Sequence, residues 1–330
     1  MQKVTLAKIA EISGFSLATV SYVISGRKQF PEETIGAIKK VADELGYPFG
    51  QIHKNPKMIG LCFILQEPTF REDIYFLDMM EGVLDACAAQ GYQMMLSKIL
   101  VDDDASYESF TKLLAIVQGI VLCNPRQNHR YEEDILKRKI PYVVLGTTEN
   151  QDTSFTVDVD MIAAGYQCTD YLIRKGRRNI YFINLNEHML QSKQRLEGFQ
   201  LAMKSNGLAW KDSYHTFLPA AMEDSFRVVS SLLKSSQEID AIVTSNEIQA
   251  HGTMKALLDY EIAVPNKVAV ISMGGTVLSQ LGKPQVTTMD FNPHKNGYEA
   301  AKLLFDILHK KRLQDFHLIL PGTLVKRGST

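Results

Sequence analysis

Residues 5–24 read Thr5-Leu6-Ala7-Lys8-Ile9-Ala10-Glu11-Ile12-Ser13-Gly14-Phe15-Ser16-Leu17-Ala18-Thr19-Val20-Ser21-Tyr22-Val23-Ile24. The Thr5 hydroxyl is suited to cap the free N–H groups of a helix that starts at Leu6. Gly14 stops that helix, as a residue able to take positive φ should. Ser16 opens a second helix, ended by Ser25-Gly26. A gap of a few residues with a glycine in it is the spacing of a helix-turn-helix. A third helix starts after Pro31 and places Ile35, Ile38, Val41, Ala42 and Leu45 on one face. Three helices of this size close one small core, to which Ile9, Phe15, Val20, Ile24 and Phe30 add.

The whole chain has 330 residues, 45% hydrophobic and 22% charged. That composition excludes a disordered chain and allows about two core-bearing domains. A formal net charge of -1 gives no bulk field that would suit a basic nucleic-acid coat or a membrane-surface protein. The charge is unevenly spread, however. Residues 1–58 hold eight Lys/Arg against five acids, a net of +3, and the remainder carries −4. The bland alternative for that excess is a solvated helical face.

Cys62, Cys87, Cys123 and Cys168 have no paired short spacing of the zinc or redox kind and read as buried thiols in a reducing compartment. The first residues lack an apolar run of signal-peptide length, and no segment reaches the roughly 18 apolar residues of a membrane span. A cytoplasmic location is expected.

From Met58 onward, strand-like runs recur at 59–65, 93–97, 119–123, 142–146, 180–184, 214–218, 241–245 and 268–273, with helical stretches between them. Such alternation means parallel sheets covered by helices. The stretch Val157-Asp158-Val159-Asp160 separates the two series, which predicts two doubly wound subdomains. Ligands of open α/β sheets sit beyond the carboxyl ends of the strands.

Three motifs in the first 47 residues resemble the DNA-binding head of the LacI/GalR family of bacterial transcription regulators. They are Val4-Thr5-Leu6-x-x-Ile9-Ala10, Gly14-Phe15-Ser16-x-x-Thr19-Val20-Ser21 and Glu44-Leu45-Gly46-Tyr47. The resemblance continues through Ile59-Gly60, Val157-x-x-Asp160, Arg195-Leu196-Glu197-Gly198-Phe199, Ser245-Asn246-Glu247 and Leu324-Val325-x-Arg327-x-Ser329-Thr330. It implies a small all-α helix-turn-helix head and an α/β two-lobed body like the type I periplasmic binding proteins, with two doubly wound parallel sheets. The expected division is a DNA-binding head at 1–47, a short hinge at 48–58 and an effector-binding and dimerisation body at 59–330. Within the body, lobe 1 is expected at about 59–157 plus 287–318, and lobe 2 at about 158–286 plus 319–330.

The resemblance further implies a homodimeric repressor on double-stranded DNA with a palindromic operator, modulated by a small-molecule effector held between the lobes. No cofactor or metal is implied. The second helix would lie in the major groove. Leu17, Ala18 and Tyr22 would then read bases, and Thr5, Ser16, Thr19 and Ser21 would hold phosphates. The alternative for Leu17 and Ala18 is that they are merely solvent-facing helix formers. The family often has Arg where Tyr22 stands. Tyr cannot form the bidentate pair with guanine, so readout is expected to lean on thymine methyl contacts.

Several positions depart from the family pattern. The hinge helix and its minor-groove leucine are in doubt, because residues 48–57 are about five shorter and leave five positions between Gly50 and Pro56. Ile52 is a substitute wedge, and His53, Lys54 and Lys57 would meet phosphates from an extended linker. In the body, Arg195 and Asn246 match the family's effector-binding residues. Gly146-Thr147 and Gly274-Gly275-Thr276 stand where many members carry carboxylates. That loss suggests an anionic effector, such as a phosphorylated sugar, on an N–H nest at 274–276. The equal alternative is a glycine turn around a neutral ligand.

The rival class is a two-lobed α/β enzyme or binding protein acting on a sugar-like ligand. No dinucleotide fingerprint, phosphate loop or nucleophile elbow supports catalysis, and the eight histidines lack metal-ligand spacing.

Overall fold

The computed structural model describes residues 4–25, 30–47, 57–65, 74–101, 103–123, 130–146, 148, 154–235, 238–311 and 317–330. In the amino-terminal unit, α1 (Leu6–Ser13), α2 (Leu17–Ser25) and α3 (Glu32–Glu44) form the expected trihelical core. Thr5 Oγ1 accepts the Lys8 N–H at 3.3 Å, and Gly14 takes φ +73° to end α1. Ser16 Oγ accepts the Thr19 N–H at 3.1 Å to start α2. The chain turns through 113° between the two helices, within the range of a helix-turn-helix. Ile9, Val20, Ile38 and Ala42 are fully buried, with Phe15, Phe30 and Leu45 packed around them. Each such Val or Ile contributes about 1.5–3 kcal/mol by leaving water.

The second unit begins with β1 (Met58–Leu65), α4 (Ile74–Gln90), β2 (Gln93–Leu100), α5 (Asp104–Leu114), β3 (Gly119–Cys123), α6 (Arg130–Lys137), β4 (Tyr142–Leu145) and β5 (Phe155–Val159). It continues with α7 (Met161–Arg174), β6 (Ile180–Asn184), α8 (Leu190–Ser205), β7 (His215–Phe217), α9 (Met222–Lys234), β8 (Ala241–Thr244), α10 (Glu247–Asp259), β9 (Ala269–Gly274) and β10 (Thr287–Asp290). It closes with α11 (Pro293–Leu308), β11 (His317–Leu320) and β12 (Thr323–Val325). The strands form two six-stranded sheets, ordered β11-β5-β4-β3-β1-β2 and β12-β10-β9-β8-β6-β7. The central strands β3, β4, β6 and β8 are buried at every residue, which is why they read as continuous apolar runs.

The structure moves several sequence-derived limits. Residues 287–290 were expected in lobe 1, but β10 pairs in parallel with β9, Thr287 against Ile271 and Asp290 against Gly274. Phe291 is still buried in the lobe 2 core, so the chain leaves that lobe only at Asn292, which takes φ +49° and caps α11 with its side chain. The stretch 157–160, taken as a divider, is mostly strand, and β5 carries lobe 1 to Val159. Likewise β11 extends lobe 1 to Leu320. Tyr214 ends a 3-10 turn instead of starting β7. The second sheet is not wholly parallel, since β12 runs antiparallel to β10. The strands β10 to β12 are three or four residues long and carry too few side chains to display a period. No single helix among the described residues is long and apolar enough to cross a membrane. All four cysteines are buried and free.

Glycines bring pairs of helices to close crossings in both lobes. A Cβ at Gly82 on α4 would overlap the His294 carbonyl oxygen on α11, and one at Gly297 would overlap that of Met79. In lobe 2, Gly165 on α7 meets the Arg195 carbonyl on α8, and Gly198 meets that of Ile162. Such backbone approach leaves no room for a methyl group. Gly297→Ala is therefore expected to destabilise the chain by about 1–3 kcal/mol. Gly36→Ala should raise stability by about 0.5–1 kcal/mol, because Gly36 lies exposed within α3 with nothing within 4 Å of its added Cβ. Urea unfolding followed by circular dichroism reads both signs.

Candidate functional site

A cavity of about 140 Å³ lies between the two sheets of the second unit. Leu145 and Gly146 at the end of β4, Val157 to Val159 on β5, and Tyr75 and Asn296 from the lobe 1 helices form one wall. Arg195 on α8, Ser245 to Ile248 after β8, and Met273, Gly274, Thr276 and Leu278 after β9 form the other. These are carboxyl-terminal strand ends, as open α/β sheets require.

Arg195 is 7% exposed, and its Nε and Nη1 have no hydrogen-bond partner. Burial pulls its guanidinium down to about 10, while Tyr75 and Asp158 act in the opposite direction. A guanidinium out of water with donors unmet is a costly arrangement. Asn296 adds the complementary deficit. Its Nδ2 donates to Tyr75 Oη and the Phe291 carbonyl, both at 3.1 Å, and its buried Oδ1 accepts nothing. The cavity thus presents unmet donors and an unmet acceptor.

Asn246 is the N-cap of α10, and its Oδ1 accepts the Gln249 N–H at 2.8 Å. Its amide NH2 is the group left to donate at the wall. Behind it, Ser245 Oγ donates to Asn184 Oδ1 at 2.7 Å, and Asn184 Nδ2 donates to the Ser192 carbonyl at 2.8 Å. These bonds lock the ends of β6 and β8 to the start of α8, so the Arg195 helix and the Asn246 turn move as one.

The expected N–H nest at 274–276 is filled from within. Gly275 N donates to Glu247 Oε1 at 2.8 Å, the Thr276 N–H also reaches that carboxyl group, and Thr276 Oγ1 donates to Oε2 at 3.3 Å. Thr288 Oγ1 adds a bond to Oε1 at 2.9 Å. A Cβ at Gly274 would overlap Glu247 Oε2, and one at Gly275 would overlap Asp290 Oδ1. The glycines therefore make room for internal carboxylates. Gly274 and Thr276 line the cavity, whereas Gly275 faces Asp290. Burial pushes the Glu247 carboxyl above its ordinary value, with the Gly275 N–H and Thr288 hydroxyl pulling the other way.

Glu247 and Asp158 are the cavity-lining carboxyl groups that sequence reading missed. Glu247 had a usable signal, an acid at the first position of a helix directly after a strand. Asp158 had none, because β5 was not recognised as a strand. Asp158 Oδ1 accepts the Val159 N–H at 2.8 Å and its carboxylate is one of the charges felt by Arg195. Asp158 acts on the Arg195 guanidinium, and Glu247 places a second carboxyl group in the cavity lining, where the glycines at 146, 274 and 275 supply none. Gly146 is in the wall with φ +108°, and Thr147 lies outside the described residues.

In the amino-terminal unit, Leu17, Ala18 and Tyr22 lie exposed along α2, Leu17 at 53% and Tyr22 at 38%. Ser16 and Thr19 share a hydroxyl bond of 2.8 Å, which leaves one hydroxyl hydrogen of that pair for another acceptor. Ser21 is half-buried, and Thr5 is exposed while capping α1. Ile52, His53 and Lys54 lie outside the described residues. Lys57 is not part of a free linker: its carbonyl accepts the Gln93 N–H at 2.7 Å and its Nζ lies 5.2 Å from the Tyr92 ring centroid.

A helix-turn-helix unit followed by two mostly parallel-sheet lobes around a largely apolar cavity defines a DNA-binding regulator with a ligand-binding body. Residues 5–48 match the family described as bacterial regulatory proteins, lacI family, and residues 169–330 match a periplasmic binding protein-like domain. The chain is 26% identical to the ribose operon repressor of Escherichia coli (strain K12), over 98% of this chain and 99% of that protein. It is 24% identical to catabolite control protein A of Priestia megaterium, over 99% of each. Among solved structures, a complex of the transcriptional regulator CelR with cellobiose superposes with a TM-score of 0.77 at 23% identity, over 99% of this chain and 100% of that one. The lac repressor dimer bound to operator and the anti-inducer ONPF gives 0.78 at 17% identity, over 99% of each chain. The chain thus carries a lacI-family DNA-binding domain and a periplasmic binding protein-like domain, and over nearly its whole length it is similar to transcription regulators that share that pairing.

The raised Glu247 pKa has a stability consequence. The folded state holds this proton more tightly than the unfolded chain, so the contribution is greatest below the ordinary value of 4.5 and declines as pH rises through the folded value. Glu247→Gln is expected to remove that decline from the pH profile of unfolding free energy measured in urea. An unchanged slope would mean that another group carries it.

Proposed function

We propose that the chain is a sequence-specific transcriptional repressor that binds a palindromic operator as a homodimer. An uncharged small molecule in the cavity between the lobes sets its operator affinity. The observation that carries this reading is the buried Arg195 guanidinium with two nitrogens, Nε and Nη1, unmet in a cavity. A structural arginine would find partners within the fold; this one is left for a ligand. The ligand favours one relative angle of the lobes, and its effect on DNA binding is limited to its differential affinity for the two states. An uncharged effector is supported by Asp158 beside Arg195 and by Glu247 filling the 274–276 turn.

DNA recognition by α2 is supported by its exposed Leu17, Ala18 and Tyr22. Apolar contacts of Leu17 with thymine methyl groups would confer part of the specificity. The surviving role for Ser16 and Thr19 is a single shared hydroxyl donor toward phosphate, beside the helix N-terminus. Regulation without turnover of the ligand separates this reading from an enzyme or a transport-type binding protein.

Genome-wide footprinting of the full chain identifies the operator, and sedimentation at physiological concentration is expected to give a dimer. On that operator, Leu17→Ala should weaken binding by about 1–3 kcal/mol, the cost of one misread base pair, without changing the unfolding midpoint of the body. Arg195→Met should leave the ligand-free fold as stable or more stable by about 1–3 kcal/mol, yet abolish the effector's influence on operator affinity in gel-shift titration. Calorimetry with matched neutral and phosphorylated compounds should favour the neutral member. Binding of the phosphorylated member alone would overturn the uncharged effector.

A further inference from the structure

The polar side chains around the cavity are mostly spent on one another. Ser245 donates to Asn184, the Asn246 carbonyl oxygen caps α10, and Glu247 takes the Gly275 N–H and the hydroxyls of Thr276 and Thr288. What stays unmet is Nε and Nη1 of Arg195 and Oδ1 of Asn296 on the facing walls, with the Asn246 amide NH2 also left to donate. Apart from Tyr75, Asp158 and Gln191, most of the remaining described lining is apolar and soft. Phe76 and Phe291 contribute rings, and Met79, Met161, Met189 and Met273 contribute thioethers.

A free sugar presents hydroxyls on every side and loses affinity wherever one is buried without a partner. Thioethers and ring edges favour a planar, polarizable group instead. Resting on the reading of this cavity as the effector site, we infer that its ligand is amphipathic, with an aromatic or similarly flat apolar body and one compact uncharged polar end. That end both accepts from Arg195 and donates to Asn296, as a phenolic hydroxyl does. The apolar body lies among the methionines and rings. Asp158, near Arg195, disfavours a second negative charge on the same end.

The test uses the full-length chain and three probes, 4-ethylphenol, ethylbenzene and glucose, followed by ligand-observed NMR titration. 4-Ethylphenol is expected to bind saturably, about tenfold more tightly than ethylbenzene, since a hydrogen bond to a charged donor is worth at least that factor. It should also bind at least about tenfold more tightly than glucose. Arg195→Met should remove the advantage over ethylbenzene, and Ile248→Trp, which fills the cavity, should remove both aromatic probes. Tighter binding of glucose, no saturable binding of either aromatic probe, or a tenfold advantage that survives Arg195→Met would each overturn the inference.

Operator affinity measured in the same titrations separates this inference from the function it rests on. Aromatic binding at the cavity without any change in operator affinity supports the ligand chemistry and removes the effector role. A hexose that shifts operator affinity does the reverse.

Discussion

Gly165 on α7 lies against the backbone carbonyl of Arg195 on α8, and the cavity depends on that contact. With no side chain at Gly165, or at Gly198 opposite Ile162, the two helices approach to backbone distance. The approach holds Arg195 in the wall, where water is excluded and the surrounding fold does not satisfy its donors. Helix packing of ordinary spacing would leave the guanidinium room to reach solvent, as long cationic side chains do when they can. The unfavourable burial is thus imposed by packing elsewhere in the lobe. Asp158 and Tyr75 offset part of it, and a ligand in the cavity would supply the missing partners.

The rest of that wall is shaped by the same economy of space. Glu247 occupies the room that side chains at 274 would fill, and its hydrogen bonds with Gly275, Thr276 and Thr288 fix the turn after β9. Asn246, one residue earlier, caps α10 and faces the cavity. Asn184 and Ser245 join this turn to the start of α8. A ligand touching Arg195 and Asn246 therefore addresses one hydrogen-bonded unit of lobe 2, while Asn296 and Asp158 belong to lobe 1. Binding both sides at once is how such a site biases the angle between lobes.

The head was legible almost residue by residue. Caps, a stop glycine and apolar spacing are local signals, and Thr5, Gly14 and Ser16 take the predicted conformations. Long buried strands such as β3 and β6 were equally plain, since every residue in them is apolar or enclosed. Short strands were not. Thr287–Asp290 and Thr323–Val325 are strands because β9 and β10 offer free edges to pair with, a fact that no local pattern carries. The misplaced lobe limit at 287 followed directly from that.

For the site, the sequence by itself determined the positions of Arg195 and Asn246, the glycines at 146 and 274–275, and the family that supplies their roles. Residue identity and spacing are enough for such matches. Only the tertiary structure decided what the glycines are for. A Gly-Gly-Thr turn reads as an anion nest until an acid 27 residues earlier is seen to fill it. The charge of the cavity likewise depends on Asp158 from lobe 1 acting on Arg195 from lobe 2, and on Glu247 in the same lining. Electrostatics acts through distance in space, and distance along the chain does not report it.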